Sequence, residues 1–95
     1  MKPLYCVISP ENGIWVARGL QHRIVTYGAT LAEVKQNIDA VVWAHRQRGT
    51  LHLLPEAEIQ YWTRYNEAKA DGWLLEQHLP EDTTERHYAQ EFKSA

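Results

Sequence analysis

Residues 15–42, WVARGLQHRIVTYGATLAEVKQNIDAVV, decide how the rest of this chain is read. Trp15 to Leu20 and Ile24 to Tyr27 are rich in β-branched and aromatic residues, with the polar triplet Gln21-His22-Arg23 between them. That pattern reads as two strands and a turn. Gly28-Ala29 then leads into Thr30-Leu31-Ala32-Glu33, a capping box. The Thr30 hydroxyl accepts from the backbone N–H of Glu33, and the Glu33 side chain reaches back to the Thr30 amide. Beyond it Leu31, Val34, Ile38, Val41, Val42 and His45 recur at three- and four-residue spacing, the stripe of an amphipathic helix. Lys35, Gln36, Asp39 and Arg46 fall on the polar face. Gly49 should end the helix, with Arg46 and Arg48 placed favourably at its negative end.

Upstream, Leu4 to Ser9 (LYCVIS) reads as a first strand. Pro10-Glu11-Asn12-Gly13 forms the turn, where Asn-Gly supplies the positive φ angles a tight hairpin needs. Pairing Ser9 with Ile14 puts Leu4, Cys6, Ile8, Trp15 and Ala17 on one face, and Tyr5, Val7, Ile14, Val16 and Arg18 on the other. Both faces are largely apolar, and one helix covers only one of them. A second helix or a second subunit must meet the other.

Downstream, Leu51 to Leu54 is read as an edge strand. Pro55 at a first helical position, beside Glu56 and Glu58, is expected to open a second helix that runs to about Ala70. On it Ile59, Trp62 and Asn66 form one line; Tyr61, Tyr65 and Ala68 form the next. Asp71-Gly72 stops this helix, and Trp73-Leu74-Leu75 forms a last strand or an anchoring turn. From Pro80 onward the chain is polar, with only Tyr88 and Phe92 to pin it, so residues 1–79 are expected to form one domain and 80–95 a flexible tail.

Ninety-five residues with 44% hydrophobic content, four Trp and five Tyr suit a single core. Cys6, the only cysteine, sits in an apolar strand and suits a buried thiol in a reducing cytoplasm. No apolar run approaches a membrane span, and Met1-Lys2-Pro3 begins no signal peptide, so a cytoplasmic protein is expected. Residues 1–50 carry six Lys/Arg against three Asp/Glu, and residues 51–95 carry four against nine. Neither half is basic enough to announce nucleic-acid binding by charge alone.

The run WVARGLQHRIVTYGATLAEV resembles the core motif of HicB-like domains. An aromatic-Val-Ala strand start is followed by Gly-Leu, an Ile-Val-Thr strand and a Gly-x-Thr-Leu-x-Glu opening of the helix. The segment from Pro55 through Ile59-Gln60-Tyr61-Trp62-Thr63-Arg64-Tyr65 is similar to a variant found in stand-alone bacterial relatives. The resemblance implies an α+β fold, an antiparallel β-β-β-α-β sheet of partial RNase H type, here with an added second helix. It further implies an antitoxin-like protein that caps a small RNA-cleaving HicA-type toxin. The family's usual DNA-binding segment has no counterpart after Ala70, and the tail is acidic where a DNA arm is basic. An orphan relative from a phage or mobile element, acting on a host factor, is the variant of this expectation.

The residues argue against catalysis. A two-metal nuclease needs converging carboxylates, and the acids before residue 50 read as turn (Glu11), cap (Glu33) and helix face (Asp39). His22, His45, His52, His78 and His87 show no ligand spacing, and Cys6 has no cysteine neighbour, so no metal, cofactor or catalytic residue is expected. Binding is the better expectation. Arg18, His22 and Arg23 present a cationic edge at the second turn, and Tyr61, Trp62, Arg64 and Tyr65 crowd one helix with more aromatic surface than a sheet can cover. A protein partner is expected to use these seven residues. The alternatives are a nucleic-acid or nucleotide partner stacking on Arg18, Arg23 and exposed aromatics such as Trp15 and Tyr27, and a homodimer.

Overall fold

A computed structural model describes residues 4–70, 75–78 and 86–90. The described elements are β1 (Leu4–Glu11), β2 (Ile14–Gly19), β3 (Val25–Gly28), α1 (Leu31–Arg48), α2 (Ile59–Ala70), β4 (Leu75–His78) and β5 (Arg86–Gln90). They form an α+β fold with one five-stranded sheet in the order β3-β2-β1-β5-β4.

The β1–β2 hairpin turns on Asn12 and Gly13 alone, both at positive φ (53° and 82°). This is the two-residue geometry whose twist matches that of its strands. Glu11 therefore pairs with Ile14 and Ser9 with Val16, two residues away from the expected pairing. A shift of two preserves the pleat, so every side chain keeps its expected face. The shift also places Glu11 at the end of a strand rather than in the turn.

At α1 both helix limits fall as expected, with the Thr30 half of the capping box formed and no bond among the described residues from the Glu33 side chain back to the Thr30 amide. Thr30 is the N-cap, its hydroxyl accepting from Glu33 N at 3.1 Å. Gly49 closes the helix in the left-handed region (φ 68°), where its N–H bonds the Arg46 carbonyl. Val34, Ile38 and Val42 are fully buried and meet Leu4, Cys6, Ile8, Ala17 and Ile24 on the sheet. Gly28 lets β3 run into the first turn of α1, since a Cβ there would lie 2.5 Å from Val34 N.

Three expectations fail. Leu51 to Leu53 form a 3₁₀ turn, not a strand. Leu51 and Leu54 pack on the α1-side core while His52 and Leu53 stay exposed, a period of three rather than two. Pro55 does not open α2. Residues 55–57 are held against the β2–β3 connection by Arg23 N to Pro55 O and Ala57 N to Leu20 O, both 2.7 Å, so the helix begins at Ile59. Finally, Arg86–Gln90 are not tail. They form β5, parallel to β1 and antiparallel to β4, and the sheet is mixed rather than antiparallel. Tyr88 explains the insertion: it is fully buried in the α1-side core, and its hydroxyl donates to Asp39 Oδ1 at 3.2 Å. Of Trp73-Leu74-Leu75, expected as a last strand or an anchoring turn, Leu75 opens β4, while Trp73, Leu74 and the remainder of the expected tail lie outside the described residues.

The second apolar face is covered by α2, which lies over β1 and β5. Tyr65 and Ala68 are buried there with Val7 and Leu20, flanked by Tyr5, Tyr61 and Trp62. The line Tyr61-Tyr65-Ala68 thus faces the sheet, and Ile59 points away from it.

Candidate docking surface beside the second helix

Because α2 lies over β1 and β5, the outer part of the same face, at β3 and the turn end of β2, is left exposed. Side chains alternate across the pleat, so Ile14, Val16 and Arg18 of β2 share this face with Val25 and Tyr27 of β3. Val16 is buried, but Ile14 (39%), Val25 (44%) and Tyr27 (57%) are exposed. Isolated exposed apolar residues need no explanation; several on one sheet face beside a helix form a patch. A cleft of about 250 Å³ opens between this shelf and α2, lined in part by Arg18, Arg23, Val25, Tyr27, Glu58 and Tyr61.

Arg18 and Tyr61, which line the cleft, also belong to a polar clamp. Arg18 donates from both terminal nitrogens to the Glu11 carboxylate, with Nη2 to Oε1 at 3.4 Å. The Ser9 hydroxyl donates to Glu11 Oε2 and accepts from Arg64 Nη2, each at 3.0 Å. This gives a fully buried serine both a donor and an acceptor role. Both guanidinium groups lie near the Tyr61 ring, with Arg18 Cζ 4.7 Å and Arg64 Cζ 5.5 Å from its centre. The Arg18 hydrogen bond, against the opposing effect of burial, and with help from Ser9 and the charges of Arg18 and Arg64, holds the Glu11 carboxyl below its usual value of 4.5.

A carboxylate with a lowered pKa contributes stability that is present above its unfolded value and is lost as pH falls through its folded value. Between pH 5 and pH 3 the native chain should therefore lose stability more steeply than Glu11→Gln, whose side chain does not titrate. Urea melts at intervals across that range check this. Parallel curves for the two proteins would remove the clamp from the stability account.

The seven residues expected to bind a partner separate into three groups. Arg18, Tyr61 and Arg64 come together as the clamp, and Arg23 borders the same cleft with one guanidinium nitrogen on the Glu56 carbonyl at 3.1 Å. Trp62 and Tyr65 are mainly packing. Tyr65 lies 5.6 Å from the Tyr5 ring centre and Trp62 meets Tyr5 edge-on at 6.4 Å. Burial pushes the Tyr65 hydroxyl up, and the Trp62 indole N–H is buried with no partner among the described residues. His22 lies elsewhere. It lines a second, open cleft of about 450 Å³ with Arg46, Gly49, Leu51 and His52.

Of the two aromatics considered for stacking, Tyr27 is on the open shelf, whereas Trp15 packs on the α1-side core. Ile14 and Val25 were not expected at a site. Strict alternation across β2 and β3 gives the face of the two strand residues, but not which part of that face α2 leaves bare.

Among the described residues no three His, Cys, Asp or Glu side chains cluster as a metal site, and no helix is long and apolar enough to cross a membrane. Comparison of the chain with protein-family models, with curated proteins and with solved structures finds no match.

Proposed function

We propose that this chain is a non-enzymatic binding protein on a HicB-like scaffold, which acts by covering a protein partner. The observation that carries this reading is the apolar shelf of Ile14, Val25 and Tyr27 beside an otherwise well-packed helix. The β-β-β-α order over Leu4–Arg48 is consistent with the scaffold the motif implies. The rim suits a basic partner. Arg18 is neutralised by Glu11, and the exposed Glu56 and Glu58 outnumber Arg23 at the mouth of the cleft. A HicA-type toxin, which must offer RNA a basic surface, fits that chemistry, and the mechanism is occlusion of that surface. A host factor of the same character is the corresponding partner for an orphan copy.

A nucleic-acid or nucleotide partner is less well served, because the cation best placed beside Tyr61 already holds a carboxylate. Such binding would weaken steeply with salt.

The test is inhibition of RNA cleavage by a HicA-type toxin. The wild-type chain should suppress cleavage at stoichiometric ratio. Tyr27→Glu, which buries a charge only when the shelf is covered, should weaken inhibition by roughly thirtyfold, as expected for an interface residue worth about 2 kcal/mol. Cleavage that continues unchanged in an excess of the folded wild-type chain would count against the reading.

A further inference from the structure

β3 is the outermost strand of the sheet, and among the described residues no further strand pairs with it. Its backbone direction follows from one bond: Gly19 N donates to Ile24 O at 2.9 Å. Ile24, Thr26 and Gly28 therefore turn their amides toward β2, and Val25 and Tyr27 turn theirs outward. The Tyr27 carbonyl is met by Asn37 Nδ2 at 2.6 Å, which leaves the Val25 amide and carbonyl as the open pair on this edge. An apolar edge strand with open backbone groups is a template for another strand unless charge, proline or a bulge blocks it. Val25–Gly28 carries none of these.

The neighbouring cleft indicates what that strand is. It carries both signs of charge, exposed Arg23 and exposed Glu58, within one lining. A surface that joins to its own copy about a two-fold axis must be self-complementary, each element meeting its opposite on the other copy. We infer that β3 pairs antiparallel with β3 of a second copy of this chain, Val25 opposite Val25, to form one continuous sheet of ten strands. In that register the side chain of Arg23, whose N–H stays on the Pro55 carbonyl, comes near Tyr27 of the second copy, where a guanidinium-ring contact is favourable, and is directed toward that copy's Glu58. Edge pairing leaves the shelves themselves open. It joins two of them into a single apolar floor between two α2 helices, a broader docking surface than one copy offers.

Light scattering of the purified chain alone, from micromolar to near-millimolar concentration, tests this independently of any toxin. The expected mass is twice the 11.1 kDa of the chain, falling toward the monomer on dilution. Val25→Pro deletes the outward N–H without removing a bond to β2, a position where edge strands tolerate proline, and should yield a monomer with unchanged circular dichroism. Arg23→Glu and Glu58→Arg should each weaken self-association by about tenfold, and the double variant should restore it. A wild-type monomer at every concentration, or a dimer indifferent both to Val25→Pro and to the charge reversals, would overturn the inference. Toxin inhibition by a strictly monomeric chain would overturn it while leaving the proposed function standing.

Discussion

Replacing Tyr88 by alanine is expected to destabilise the fold by about 3–5 kcal/mol, the range for deleting a buried aromatic side chain. The ring is fully buried among Leu4, Cys6, Ile8 and the α1 stripe, and it sits on the strand between β1 and β4. Its loss opens a cavity at the joint where the last two strands attach to the first three. Since a small domain has only about 5–15 kcal/mol in hand, the variant loses a large share of it and should melt well below the wild type. Tyr88→Phe separates packing from hydrogen bonding. It keeps the ring and gives up only the 3.2 Å bond to Asp39, at a cost near 1 kcal/mol. Urea titration followed by tryptophan fluorescence measures both. An alanine variant within about 1 kcal/mol of wild type, against the usual 3–5 for a buried ring, would mean that β5 is not an integral strand.

Gly28→Ala should be the most damaging change of a single methyl group. The new Cβ would lie 2.5 Å from Val34 N and 2.9 Å from Val34 Cα, and both are backbone atoms in the first turn of α1. A flexible side chain could swing aside; a helix start held by the Thr30 cap cannot. Either β3 parts from β2 or the helix slides away from the sheet, and forced overpacking of this kind costs about 1–3 kcal/mol. For a domain of this size each kcal/mol lowers the melting temperature by roughly 4–8 °C, so calorimetry resolves the effect. Gly13→Ala is the contrast. That position has open space but a φ of 82°, so its strain is conformational and confined to the hairpin turn. A wild-type melting temperature for Gly28→Ala would show that the β3–α1 junction is looser than these distances require.

Neither effect is visible in a composition or a motif. Residues 86–90 look like polar tail because four of five side chains are polar or small, and the one aromatic reads as an anchor. Only the parallel alignment with β1 shows that Tyr88 lands opposite Cys6, inside the core. The clamp was equally hidden. Glu11 joins the strand, on the face it shares with Arg18, only once the turn is two residues long, and Ser9 and Arg64 are 55 positions apart.

What this sequence determined by itself is whatever few neighbouring residues can decide. Asn12-Gly13 set the hairpin, Thr30 and Gly49 the limits of α1, and strict alternation the face of each residue in β1 and β2. These follow from steric limits on φ and from hydrogen bonds that close within four residues, so no distant part of the chain can veto them. Tertiary structure alone decided the rest: that residues 55–57 stay out of α2 because the β2–β3 connection takes their backbone groups, that β5 enters the sheet parallel to β1, and that α2 shields one part of a face and leaves Val25 and Tyr27 bare. Those outcomes depend on which of several similar apolar surfaces meet. That is a competition between segments far apart in the chain, and local spacing does not rank its contestants.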